Sequence, residues 1–363
     1  MGADDSGCNK HQCRENTPQF CTQSQQEADI VVVDRTTDKS AWKEARIAVA
    51  SRVQRAFGEF TVAGHVIGEG NPGSVIVLPI GANTNITQKI SVLDSSNLTD
   101  LRKGIIGENQ SSRAENIYTQ ILSGSNANSL WSHLVLKYIA GKSGNLSSSV
   151  CESEASNYIK TQRGDGGEFS KALDYISEKM NESQLSISLC NEVVSISSNL
   201  HTIDSKMGST SGSCNWKSGD TCSDILGSTK TINIILNDLH RKEGVHGDTL
   251  TNLNGCVLYA SDMVQIGPDG PLPIKQWTTE EASQHGAADE SKFIGNQFPE
   301  LLAGKEVYMP YLGTTTPGVP PRPADDIEAL NAYWKAFFES AGAEIRTGSA
   351  SSACSGTEDR ISN

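Results

Sequence analysis

The feature that most constrains this chain is a short apolar run, Asp29-Ile30-Val31-Val32-Val33, that stops at Asp34. Consecutive β-branched residues bounded by acids predict a strand buried on both faces, since a strand with one wet face would alternate. Such a strand needs helices on both sides of its sheet. The next segment supplies one. Over Ser40–Phe57, residues Trp42, Ala45, Val49, Val53 and Phe57 step by three or four into one stripe, and Gly58 ends the helix.

Two further strands are expected at Phe60–Ile67 and Ser74–Ile80. The link between them is too short for a crossover, so they are expected to pair as an antiparallel hairpin that adds an edge strand. From about 92 to 217 the sequence turns Ser-, Gly- and Asn-rich, with helical patterns at Ala114–Leu122, Leu130–Ile139 and Phe169–Met180. A helix is expected from Ser223-Asp224, with Ile225, Ile232, Ile235, Leu236 and Leu239 on one side. Cys256–Ala260 follows as a strand ending at Ser261-Asp262; after a long polar loop comes a strand at Val307–Pro310. The last helix, about Asp325–Ala341, buries Ile327, Leu330, Trp334, Phe337 and Phe338, has acids in its first turn and is stopped by Gly342. A short strand at Ala343–Arg346 closes the series.

Strands alternating with helices define an α/β fold, a doubly wound, mostly parallel sheet with one antiparallel edge strand and a helical insertion. The organisation is a Cys-containing arm (1–28), a core in two pieces (29–91 and 218–348), the insertion (92–217) and a polar tail (349–363). Ligands of such sheets bind at the carboxyl ends of strands, near the switch in strand order. Asp34 and Asp262 stand at two such ends.

Charge and cysteines narrow the setting. The formal net charge is -13 and no stretch concentrates Lys or Arg, which argues against a nucleic-acid partner. No apolar run reaches the roughly 20 residues that cross a bilayer; Met1-Gly2-Ala3-Asp4-Asp5 has neither the charged nor the apolar region of a signal peptide, so a secreted protein is expected to have had its signal removed. There are nine cysteines and no Cys-x-x-Cys pair. Eight lie in polar surroundings and are expected to form disulfides, locally Cys151–Cys190 and Cys214–Cys222, with Cys354 tied to Cys8, Cys13 or Cys21. Cys256 opens an apolar strand and is expected to be a buried free thiol. Disulfides imply an oxidising compartment, so the protein is expected to be periplasmic, secreted or surface-bound.

Asp34-Arg35-Thr36-Thr37-Asp38 resembles the Asp-x-Ser/Thr-x-Ser motif of von Willebrand factor type A domains. Ser223-Asp224-Ile225 resembles that family's step into its third helix, Leu258-Tyr259-Ala260-Ser261-Asp262 its strand ending in Ser/Thr-Asp, and the final helix with Gly342-Ala343 its bacterial members' last helix. The resemblance covers about 29–91 and 218–348. It implies a Rossmann-like fold and a metal-ion-dependent adhesion site of Asp34, Thr36, Asp38, Ser223 and Asp262. Hydroxyls and carboxylates suit Mg²⁺, or Mn²⁺ or Ca²⁺, which take oxygen ligands; Mg²⁺ retains several waters. An open position would then accept an acidic residue of a protein partner. Two positions depart from the family. Ser223 replaces Thr and keeps the hydroxyl; Asp38 replaces Ser and adds a negative charge that offsets the ion.

Local readings compete. Asp34 and Ser223-Asp224 are also ordinary helix caps, and Asp262 is suited to bonding loop amides. His65, His201, His240 and His246 have no ligand spacing. The functional expectation is therefore a metal-dependent protein–protein interaction module and not an enzyme. A structural assembly subunit with an inactive metal site is the first alternative. A haloacid-dehalogenase-like phosphohydrolase is the second, and Thr36 stands where it needs a second acid. Neither Gly-x-Ser-x-Gly nor His-Glu-x-x-His occurs.

Overall fold

The structure, a computed structural model, describes residues 28–34, 39–55, 74–81, 84, 89–93, 129–140, 146–163, 170, 174, 182–206, 223–242, 255–267, 270–293, 302–313 and 322–346. Its centre is β1, Ala28–Asp34, buried along its whole length. On one side β1 pairs in parallel with β2, Ser74–Ile80, and on the other with β4, Cys256–Ala260. Beyond β2 lies β3, Ile90–Leu93, antiparallel; beyond β4 lie β7, Glu306–Tyr308, and β8, Glu344–Arg346, both parallel. The six-stranded order is β3-β2-β1-β4-β7-β8, and a separate ribbon joins β5, Ile266–Gly267, to β6, Gly270–Pro271.

Successive residues of β1 point to opposite faces, which is why the apolar run feeds two cores. Val31 and Val33 join a cluster with α1, Lys39–Arg55, and with three later helices: α2, Leu130–Val135, α3, Ser148–Arg163, and α4, Glu182–Lys206. Ile30 and Val32 join a cluster with α5, Ile225–Lys242, and α7, Ala324–Ser340, to which α6, Thr279–Phe293, contributes Ala282. Helices thus cover both faces of an α/β sheet. The described helices between 129 and 206 are packed into the first of these cores together with α1 and β3. Their attachment is also polar: Asp204 of α4 accepts from Trp42 Nε1 and pairs with Arg46 at 2.9 Å, and Arg46 Nη2 donates to the Ile139 carbonyl at 3.1 Å. Ile139 belongs to a π-helical turn, Leu136–Ala140, that continues α2.

Four expectations need correction. Both edges of β2 are occupied, by β1 and β3, so the expected hairpin with 60–67 fails; an inner strand has no free ladder to offer. Residues 60–67 themselves, like Ala114–Leu122, lie outside the described residues. The antiparallel edge strand is β3 instead. The stretch between β4 and β7 is not a loop, for it holds the β5–β6 ribbon, a 3-10 turn at Ile274–Gln276 and α6. The start of α6 is a capping box: Glu281 N donates to Thr278 Oγ1 at 3.2 Å while Thr278 N donates to Glu281 Oε2 at 2.8 Å. Helices α3 and α4 have no counterpart among the helical patterns expected from sequence.

The fourth correction concerns cysteine. Cys151–Cys190 is a disulfide, as expected, and ties α3 to α4 inside the first core. Cys256, however, is disulfide-bonded rather than free, to a cysteine outside the described residues. Burial in an apolar strand suits a cystine as well as a thiol, so the surroundings alone did not distinguish them.

Two glycines are fixed by geometry. A Cβ on Gly255, just before β4, would run into the Ala28 carbonyl of the adjacent strand. Gly342 closes α7 at φ +75°, where Ala343 N donates back to the Phe338 carbonyl at 3.0 Å.

Candidate functional site

The parallel register aligns the carboxyl ends of three strands. Asp34 sits opposite Ile80 of β2, and Val33 opposite Ala260 of β4, so Asp34 and Ser261 emerge side by side. Ser261 Oγ donates to Asp34 Oδ2 at 2.9 Å and accepts from Met263 N at 3.0 Å. Both side chains are fully buried, which leaves little freedom in their orientation.

Asp262 follows on the same loop. Its Oδ1 accepts from Val264 N at 3.1 Å, and Arg322 Nη2 approaches its Oδ2 to 3.9 Å. Burial, together with the negative charge of Asp34, pushes the Asp262 carboxyl up to about 6. Burial is the larger cause, since it removes the water that would otherwise stabilise the ionised form. The turn between them is held tightly: Met263 takes a positive φ of 62°, and its carbonyl accepts from Trp334 Nε1 at 2.7 Å. A non-glycine residue in that region is sparsely populated and is found mostly where surrounding contacts impose it.

Helix α5 reaches the same end of the sheet. Asp224 N donates to the Gly81 carbonyl just beyond β2, and the Ser223 carbonyl accepts from Ile266 N at 2.9 Å. The capping is done by Asp224, not Ser223. Its Oδ1 accepts from Gly227 N at 2.9 Å and its Oδ2 from Thr84 N at 3.1 Å. Gln265 completes this junction, its Oε1 accepting from Leu226 N at 2.9 Å. The carboxylate of Asp224 is thus committed to backbone amides, which sets it apart from the Asp34–Asp262 pair.

Of the sequence-derived ligand set, Asp34, Ser223 and Asp262 are brought to one end of the sheet; Thr36 and Asp38 lie outside the described residues. Ser261, Gln265 and Arg322 belong to this site and were not singled out as site residues from sequence. Ser261 carried a usable signal, because a hydroxyl at a strand end beside an acid is a natural partner for a neighbouring strand's carboxylate. Arg322 carried none, as it lies far along the chain after a Pro-rich stretch. Among the described residues no group of three or more His, Cys, Asp or Glu is gathered that could hold a metal ion. Two carboxylates with hydroxyls fit a hard, oxygen-seeking cation, for which one or two carboxylates suffice.

Comparison of the chain with known families, characterised proteins and solved structures found no match.

Proposed function

We propose that this chain is an extracytoplasmic interaction module that holds a divalent cation, Mg²⁺ in the first instance, at Asp34 and Asp262 and uses it to bind a protein partner. The observation that carries this reading is the buried Asp34, bonded to Ser261 at the end of the neighbouring strand, with a second carboxyl, Asp262, next in the chain. The Ser223 hydroxyl, with Thr36 and Asp38, is suggested by the resemblance to von Willebrand factor type A domains. Strand order adds support. The chain passes to opposite sides of β1, and ligands of doubly wound sheets, the class to which we assign this one, favour that reversal. The disulfide Cys151–Cys190 favours an oxidising compartment, periplasmic, secreted or surface-bound. No described helix is long and apolar enough to cross a membrane.

The second reading is an assembly subunit without a metal. The contact of Arg322 with Asp262 favours it, because a guanidinium offsets the same charge that a cation would. Equilibrium dialysis against Mn²⁺, followed by anomalous diffraction from crystals grown with it, separates the two. The proposal expects one bound ion, density between Asp34 and Asp262, and loss of both in Asp34→Asn. A wild-type protein that binds no Mn²⁺, or binds it elsewhere, leaves the assembly reading standing.

A further inference from the structure

Beside this site, and sharing the 264–266 segment with it, a cavity of about 350 Å³ opens between the β5–β6 ribbon, the 3-10 turn and the start of α7. That size lies at the lower end of the roughly 300–1,000 Å³ typical of small-ligand sites. Val264, Leu272, Ile274 and Leu330 give it apolar walls. Two opposite charges also line it, Asp326 from the first turn of α7 and Arg322 from just before that helix.

Neither charge is satisfied by the other. Asp326 Oδ2 is buried with no hydrogen-bond partner among the described residues. A buried acceptor left in that state is unfavourable, and a ligand's donor would relieve it. Arg322 approaches Asp262 only to 3.9 Å, beyond hydrogen-bond range, so its planar donors are open to a bidentate acceptor. Lys275, which is exposed, also lines the cavity and adds positive charge. An acid oxygen lacking a donor, a guanidinium with hydrogen-bond donors to spare beside its long ion pair to Asp262, and apolar walls together describe the complement of one kind of molecule.

We propose that this cavity binds a small zwitterion with an apolar body, as a free aliphatic amino acid presents, its ammonium on Asp326 and its carboxylate on Arg322. Neither Asp34 nor Asp262 lines the cavity, although Arg322, which approaches Asp262, is shared with that site, and the inference does not require a bound cation.

The test is calorimetric titration of the full chain, with EDTA present, using three probes of one shape. L-leucine carries both charges, 4-methylpentanoate only the carboxylate, and isoamylamine only the ammonium. Leucine is expected to bind at least about tenfold more tightly than either, the worth of one charge-assisted hydrogen bond of about 1.4 kcal/mol. Asp326→Asn should weaken leucine about tenfold and spare 4-methylpentanoate; Arg322→Gln should weaken leucine and spare isoamylamine. The spared probe shows that each variant is folded. Absence of leucine binding at millimolar concentration, equal binding of all three probes, or full leucine affinity in either folded variant overturns the assignment. If a variant does not fold, the wild-type ranking of the probes decides it.

Discussion

Ser261 and Asp34 lie 227 residues apart in the chain, yet the Ser261 hydroxyl donates to the Asp34 carboxylate at 2.9 Å in the buried top of the sheet. This bond joins two adjacent parallel strands at their carboxyl ends and helps set the orientation of a fully buried acid. Hydrogen bonds to charged groups contribute roughly 1.5–3 kcal/mol. Ser261→Ala also removes the acceptor used by Met263 N. It should therefore destabilise the fold by about 2–3 kcal/mol in urea titrations. A change below about 0.5 kcal/mol, the level of an ordinary surface substitution, would show that the bond does not stabilise the site.

Asp262 should make stability depend on pH in the direction opposite to most carboxylates. Its folded value is about 6 against 3.8 for the free side chain. The folded state therefore holds the proton more tightly, and the stabilisation is complete below about pH 3.8 and lost as pH rises through 6. With a chelator present, Asp262→Asn should gain on the wild type across that window, by up to about 3 kcal/mol at pH 7. The measurement is the difference between the two melting curves from pH 4 to 8. A flat difference would place Asp262 in a more solvated setting than the structure shows.

At Gly227 the usual helix rule should reverse. Alanine in a helix interior normally gains about 1 kcal/mol over glycine. Here a Cβ would overlap the Asp224 carboxylate that caps α5. Gly227→Ala is expected to lower stability, and Asp224→Ala to lower it by about 2 kcal/mol through loss of the cap. Thermal melts of both variants give the sign, and a stabilised Gly227→Ala would mean that the cap is free to move.

The Cys151–Cys190 bridge closes a separation of 39 residues. Chain entropy puts its worth at about 4 kcal/mol, so the Cys151→Ala/Cys190→Ala protein should melt well below the wild type. Cys256 is bonded as well, and alkylation in denaturant without reductant should leave it unlabelled. Labelling of Cys256 or Cys151 by peptide mapping would argue for a reducing compartment.

Much of the scaffold was legible in local pattern. The run ending at Asp34, the stripe of α1 and the aromatic face of α7 each reflect how many sides of an element are buried, and burial is written directly in apolar spacing. The same logic was available in α4, where Leu189, Val193, Ile196, Leu200 and Ile203 are all buried. Its serines and β-branched residues hid it, because intrinsic propensity is weak and packing overrides it. The capping box Thr278–Glu281 was another readable signal, at the start of a helix whose mixed surface suggested a loop.

What the sequence by itself determined is which residues stand at strand ends, because strand length and the polar residues that stop a strand are local. It did not determine what those residues meet. Only the tertiary structure decided that β2 lies between β1 and β3, since strand pairing depends on long-range register and not on the length of the connecting link. Only it decided that Asp224 is spent on backbone amides while Asp34 takes the Ser261 hydroxyl and its charge reaches Asp262, and that Arg322 returns to the same place. A carboxylate's role is set by the groups within a few ångströms, and here those groups come from segments that only the closed sheet brings together.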